Sequence, residues 1–325
     1  MTTNVKEDLD SLIENEWNYI QDNRAEWSLL EGKPVDLEVL EHILRCILHL
    51  DNTNEMGQEF RECLKVQNPD GGWSKVSDSD KTSIWVTAFV ALKLARGNGI
   101  LKDAAIAGAV DHCLESVLSW QKEDGHWFDD EWSNLDTTCS VTYFLTIWQV
   151  MNDKLGDERV NKARVRGFEY IMSQHRDSGL WKDNKFHPSG IETTAHLMQY
   201  TLIPAYFMDK IDFAEQSCLD AAEGLLGEQA ENGSWDNENT DHTMDALRNL
   251  VLVSDSFKQR DKYQDAIERG IRWLIEVKND KGWGDFPDEP SNIERTADGL
   301  DTLLKYKRYL AGKRMSDFWA FTKEN

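Results

Sequence analysis

The sequence predicts an all-α protein, an (α/α)6 barrel in which six helix pairs stack side by side into a toroid. Three observations carry this. Tryptophans return at near-equal spacing, at Trp27, Trp73, Trp127, Trp181, Trp235 and Trp283, in steps of 46, 54, 54, 54 and 48 residues. Each ends a similar phrase: QDNRAEW, QNPDGGW, QKEDGHW, QHRDSGLW, QAENGSW and finally KNDKGW, in which Lys278 stands where the others have glutamine. Apolar residues at helical spacing surround the phrases, and only 6 prolines occur in 325 residues. A repeat of this length is one supersecondary unit that cannot bury its own apolar face and must stack on copies of itself.

Each unit follows one grammar. A first helix runs into the glutamine, as in ESVLSWQ (115–121) and FEYIMSQ (168–174), with apolar residues three and four apart. A turn rich in Gly, Asp and Asn then carries the tryptophan. A second helix follows, at 137–148, 193–203, 242–252 and 295–306 in the last four units. No segment alternates long enough to read as a strand. Helix pairs of this kind close as two concentric rings, with the second helix of each pair inside. Indole offers a large area for burial and one N–H donor, and a glutamine amide can satisfy backbone groups at a helix end. Trp and Gln are therefore assigned to the fold, and residues 1–325 to a single domain.

Composition narrows the function. With 36 basic and 59 acidic residues the net charge is -23, which disfavours nucleic acid and anionic lipid as partners. The five cysteines (Cys46, Cys63, Cys113, Cys139, Cys218) form no CxxC pair and read as packing residues. The start, MTTNVKEDLD, lacks a signal-peptide pattern, and no run approaches a membrane span. These features predict a reduced, cytoplasmic protein.

Candidate chemistry appears when the second helices are aligned on a shared threonine: Thr87, Thr138, Thr194, Thr243 and Thr296. Two residues before it stand Trp85, Asp136, Glu192, Asp241 and Glu294, and the first unit offers Asp36. Capping and the helix dipole account for an acid there, at about 0.3–1 kcal/mol each. One turn later come Phe89, Ser140, His196, Asp245 and Asp298, followed by Tyr143, Gln199, Arg248 and Asp301. That spacing puts them on one stripe of each helix, predicted to line a central cavity. The stripe is uneven. Trp85, Phe89, Tyr143 and Phe144 form an aromatic wall, whereas Glu192, His196, Asp241, His242, Asp245, Arg248, Glu294 and Asp298 supply charge. An aromatic wall opposite acids suits a substrate with an apolar or cationic part.

QxxxxGxW phrases opening onto Asp-Thr or Glu-Thr helices resemble the repeats of the squalene–hopene and oxidosqualene cyclase superfamily. The β-subunits of protein prenyltransferases share the toroid. The resemblance implies alkene or epoxide protonation by the middle aspartate of a DxDD motif, two residues before a threonine. Asp136 in NLDTT and Asp241 in NTDHT match that position and lack the flanking acids. Those cyclases use two barrels where this chain has one. The prenyltransferase zinc set is not reproduced, since Asp136 and Cys139 are three apart rather than two, and a DDxxD motif is absent.

The first expectation from this resemblance is acid-initiated cyclisation or rearrangement of a small, functionalised, isoprenoid-derived molecule. Asp136 or Asp241 would be the acid, the four aromatics the cation-stabilising wall, and His196 with Asp245 the base or hydrogen-bond partners. The alternatives are a carbohydrate-active toroid hydrolase using paired carboxylates such as Asp136 and Asp245, and a non-catalytic binder of a small molecule or peptide. A metal held by His196, His242 and Asp245 is a minor reading, and no metal is expected. No cofactor is expected either, for want of a phosphate-cradling Gly motif. The expected partner is a small-molecule substrate, with a second barrel or a second copy of the chain left open.

Overall fold

The computed structural model describes residues 4–174, 176–183, 185–186 and 188–313. In chain order its helices are α1 (Asn4–Asp22), α2 (Leu37–His49), α3 (Gly57–Glu62), α4 (Ile84–Leu101), α5 (Ala104–Trp120), α6 (Asn134–Met151) and α7 (Glu158–Ser173). They continue as α8 (Ile191–Leu197), α9 (Ile203–Phe207), α10 (Phe213–Gly227), α11 (Thr240–Ser256), α12 (Arg260–Glu276) and α13 (Ile293–Leu310). The strands are two residues each. β1 (Trp73–Ser74) pairs antiparallel with β2 (Thr82–Ser83), and β3 (Arg176–Asp177) with β4 (Leu180–Trp181).

The helices fall into the predicted pairs. First helices are α1, α3, α5, α7, α10 and α12; second helices are α2, α4, α6, α8 with α9, α11 and α13. Two compact units result, a middle unit with α2 to α7 and a terminal unit with α1 and α8 to α13. In the middle unit α2, α4 and α6 pack in series, with α3 and α5 against α4 and α7 against α6. In the terminal unit α8, α11 and α13 pack in series, with α10 and α12 against α11 and α1 against α13.

The repeated phrase works as a set of staples. All six repeat tryptophans are buried. The indole N–H groups of Trp73, Trp127, Trp235 and Trp283 donate to the carbonyls of Cys63, Val117, Leu225 and Leu274, at 2.8, 2.6, 2.6 and 2.8 Å. These carbonyls lie near the C-terminal end of the preceding first helix, where backbone acceptors lack intrahelical partners. The shared threonine has the complementary task. Thr87, Thr138, Thr194, Thr243 and Thr296 each accept the main-chain N–H of the tryptophan through Oγ1.

Glutamine links one repeat to the next. The Gln67 amide donates to Gly71 O and Ala109 O, Gln121 to Gly125 O and Ala163 O, and Gln229 to Gly233 O and Ala266 O, all within 3.0 Å. Gln174 instead bonds Tyr170 O in its own helix. Close approach of turn and neighbouring helix is what demands glycine. A Cβ on Gly125, at φ 99°, would stand 2.4 Å from Arg166 O, and one on Gly233, at φ 101°, 2.6 Å from Arg269 O. The sixth phrase reaches α1, where Lys278 Nζ lies 2.9 Å from Glu16 Oε1. Burial pushes the Glu16 carboxyl up, and the Lys278 ammonium opposes the shift.

One second helix departs from regular α geometry. α8 and α9 are joined by a π-helical turn, Met198–Leu202, in which the Ile203 N–H reaches back to Met198 O. Pro204 explains the widening, because it has no N–H and its ring displaces the carbonyl one turn before it.

The expectation that no run approaches a membrane span needs correction. By length and composition α4 is apolar enough to cross one, with a mean hydropathy of 1.3, and most of it is buried between α2, α5 and α6 as a core helix. All five cysteines are buried. Burial pushes the Cys63 thiol up to about 12 and raises those of Cys113 and Cys218 as well.

Candidate active site

The charged stripes of the terminal unit converge. α8 brings Glu192 and His196, α11 brings Asp241, His242, Asp245 and Arg248, and α13 brings Glu294, Arg295, Asp298 and Asp301. The acids in the first turns of these helices are not caps. Asn239 caps α11 by accepting from His242 N, and Asn292 caps α13 by accepting from Arg295 N. Ser133 does the same for α6. Of the acids singled out at the starts of the second helices, Asp36 is the one that caps, accepting from Glu38 N at 2.9 Å. Serine or asparagine does the capping in these three helices, and the acid stands in the first turn, where the dipole favours its charge.

Alternating charges then run from helix to helix. Arg295 Nη1 lies 2.5 Å from Asp241 Oδ1 and 2.9 Å from Asp298 Oδ2. Its Nε donates to Asp285 at 2.9 Å, and Nη2 pairs with Glu294. The other Asp298 oxygen accepts from Arg248 Nη1 at 2.8 Å. Arg248 Nη2 pairs with Asp245 Oδ1, and Asp245 Oδ2 faces His196 Nε2 at 3.6 Å. The His196 ring stacks on Tyr200, one turn on at the π-helical turn, with centroids 5.4 Å apart. Asp298 and Asp301 are fully buried, Asp301 with Lys305 at 3.0 Å.

His242 forms a second link. Its Nδ1 lies 2.6 Å from Asp236 Oδ2 and its Nε2 3.3 Å from Glu192 Oε2. Burial works against a charged imidazole here, but Glu192, Asp241 and Asp236 outweigh it and lift the ring to about 9. His242 is therefore an imidazolium at neutral pH.

Asp241 is the group whose charge is least at home. Burial raises its carboxyl most, and Asp298, Asp245 and Glu192 add repulsion that Arg295 only partly offsets, leaving it at about 6. Its side chain keeps 22% exposure, so a substrate can reach it. Arg295, by contrast, holds its charge well above the usual arginine range: burial opposes it, but Asp241, Asp298, Glu294 and Asp285 prevail. A carboxyl that exchanges its proton near neutrality beside fixed cations can serve as a general acid.

Within the terminal unit, one triad of described residues could ligate a metal. Glu192, His196 and Asp245 each offer a donor atom within 4.8 Å of the others. Glu192 takes the place that the sequence reading gave to His242, which is directed at Glu192 and Asp236 instead. Two of the three donors already face cations of the protein, Glu192 meeting His242 and Asp245 meeting Arg248.

The remaining sequence-predicted residues lie in the middle unit. Trp85 meets Phe89 edge-on at 4.7 Å and stacks on Trp132 at 4.8 Å. Tyr143 and Phe144 are buried on α6. Asp136 is fully buried in the first turn of α6, with its carbonyl accepting from Cys139 Sγ. Asp136 and Asp245 thus belong to different units.

Sequence reasoning missed Arg295, Asp236, Asp285 and Trp132. Arg295 and Asp298 are three apart, as are Asp245 and Arg248, a spacing that puts opposite charges side by side on a helix and was legible in the chain. It also missed the buried pair of the middle unit, Lys93 Nζ to Glu41 Oε2 at 3.0 Å. Burial would raise the Glu41 carboxyl, yet Lys93, His42 and Arg45 outweigh it and hold it below its ordinary value.

No protein-family model matches the chain, and no curated protein matches it. Solved structures do. A polysaccharide lyase is 14% identical over 94% of this chain and 98% of its own, with a TM-score of 0.71. A GH76 α-1,6-mannanase from Salegentibacter is 12% identical over 92% of this chain and 99% of its own, at 0.66. A type II terpene cyclase from Scytonema, in complex with its substrate geranylgeranyl dihydroxybenzoate, is 13% identical over 95% of this chain and 100% of its own, at 0.67. At these identities the likeness establishes the fold, an all-α toroid of helix pairs.

Proposed function

We propose that the chain is an acid–base enzyme that cleaves a glycosidic linkage in a carbohydrate substrate. The observation that carries this is Asp241, a reachable carboxyl held near neutrality among Glu192, Asp245 and Asp298. In this reading Asp241 donates its proton to the leaving glycosidic oxygen as the C–O bond breaks. Glu192 takes a proton from the attacking water, whose oxygen bonds to the sugar carbon. His242, seated between Glu192 and Asp236, holds the Glu192 carboxylate in place through its Nε2. His196, oriented by Asp245, is placed to bond a sugar hydroxyl. The polysaccharide lyase and the mannanase on the same fold add weight to this substrate class.

Acid-initiated terpene cyclisation is the second reading, favoured by one specific feature. Asp136 and Asp241 each stand two residues before the threonine that receives the repeat tryptophan. The Trp85, Phe89 and Trp132 cluster would serve a carbocation through its π faces. The Scytonema cyclase shares the fold.

One experiment separates the readings. The protein and its Asp241→Asn and Asp136→Asn variants are incubated with α-1,6-mannan oligosaccharides, uronate polysaccharides and linear isoprenoids, and products are read by mass spectrometry. Fragments that together gain one water, lost in Asp241→Asn, are the expected result. Isoprenoid products of unchanged mass would transfer the assignment to the cyclase reading. Binding of any of these compounds without turnover would leave a non-catalytic binder.

A further inference from the structure

We propose that Asp298 is the positioning residue of this site, fixing the proton donor Asp241 and the His196–Asp245 pair in one array through Arg295 and Arg248. The inference rests on the reading of Asp241 as the proton donor. Asp298 is the one carboxylate among the described residues that bonds both arginines, Oδ2 to Arg295 at 2.9 Å and Oδ1 to Arg248 at 2.8 Å, with its carbonyl 3.3 Å from Arg248 Nη1. Beyond Arg295 lies Asp241 at 2.5 Å, and beyond Arg248 lies Asp245, which faces His196. The linkage thus spans α13, α11 and α8 and ends at two partly exposed groups, Asp241 and His196, while its centre has no exposure. Water cannot replace a bond at that centre, so the geometry at one end depends on the other.

The arrangement predicts effects of definite sign. The charged groups around Asp241 are Arg295 and Asp298 from α13, Glu192 from α8, and His242 and Asp245 from its own helix, with Asp285 and Glu294 reached through Arg295. Removing the charge of Asp298 removes one repulsion and leaves Arg295 to Asp241. Asp241 then becomes easier to ionise. At the other end, Arg248 loses one of its anchors, and His196 loses the fixed orientation of Asp245.

The test needs no substrate. The carboxyl-carbon resonance of Asp241 is titrated by NMR in the full chain, assigned with Asp241→Asn, alongside the ring-nitrogen resonances of His196. In Asp298→Asn, which is close to isosteric, the Asp241 midpoint is expected to move down by about one unit, and the His196 resonances to shift. Arg295→Gln is expected to move the Asp241 midpoint up by a similar amount, so either variant alone decides the sign. An unchanged Asp241 midpoint in a folded Asp298→Asn or Arg295→Gln, or unmoved His196 resonances in the former, overturns the proposal. Buried structural ballast would lower the melting temperature without moving either resonance. If the resonances move as expected while no carbohydrate is turned over, the linkage stands and the glycosidic reading fails.

Discussion

The second helices of the two units occupy equivalent places in the repeat and differ in what they carry. In the middle unit α4 and α6 present Trp85, Phe89, Tyr143 and Phe144, with Lys93 and Glu41 as a buried pair between α4 and α2. In the terminal unit α11 and α13 present Asp241, Asp245, Arg248, Arg295 and Asp298, joined in a continuous run of ion pairs. Both sets hang from the same device, a threonine that accepts the tryptophan N–H. The pin is constant, and the residues around it vary from an aromatic to an acid. Scaffold and chemistry are thereby separable, since the bonds that hold a repeat together involve none of the groups proposed to do the chemistry.

Breaking the terminal unit's side of this contrast should have the largest effect. Asp241→Asn is expected to lower kcat/KM by about 10²–10⁴, the usual contribution of a general acid, in a protein that still folds. Circular dichroism and steady-state rates check both halves.

A staple should cost stability instead. Lys278→Ala leaves Glu16 buried without its cation, and breaking a buried pair from one side costs about 3–5 kcal/mol. Chemical denaturation at neutral pH would measure it, and acid should relieve part of the loss by protonating Glu16. Gln121→Ala, which removes the bonds to Gly125 O and Ala163 O, is expected to cost less, about 1–2 kcal/mol.

The same Asp241→Asn change should sharpen the contrast by raising stability. A carboxyl held at about 6 in the folded protein and near 3.9 when unfolded binds its proton more tightly when folded. Its favourable contribution is complete below the unfolded value and is lost as pH rises through about 6. At neutral pH the charge therefore opposes folding by at most about 3 kcal/mol. Denaturation midpoints of wild type and Asp241→Asn should converge near pH 4 and separate, with the variant more stable, by pH 7.

The fold was legible because it is written six times. Even the exception, Lys278, stood out against five glutamines, although its partner Glu16 lies too far away in sequence for periodicity to name. Helical phase placed Glu192, His196, Asp245, Arg248 and Asp298 on one stripe, and in the terminal unit these residues do converge. Phase assigns a face and not a partner, so it gave no sign that Arg248 and Asp298 bond each other across two helices. Arg295 was overlooked because the pattern looked for acids, and the cation that makes Asp241 tractable sits between two of them. Asp236 and Asp285 lie in turns, where no period exists to read. Trp132 falls outside the repeat and has no sequence signal of its own.

The chemistry proposed for the terminal unit depends on the proton affinity of one side chain. Titration of the Asp241 carboxyl resonance in the wild-type protein, with Asp241→Asn for assignment, tests it without a substrate. A midpoint near 6 is the predicted result and makes Asp241 a proton donor in the range an enzyme can use. A midpoint at or below 4 would make it an ordinary ion-pair carboxylate of Arg295, and the acid–base assignment of the terminal unit would fall with it.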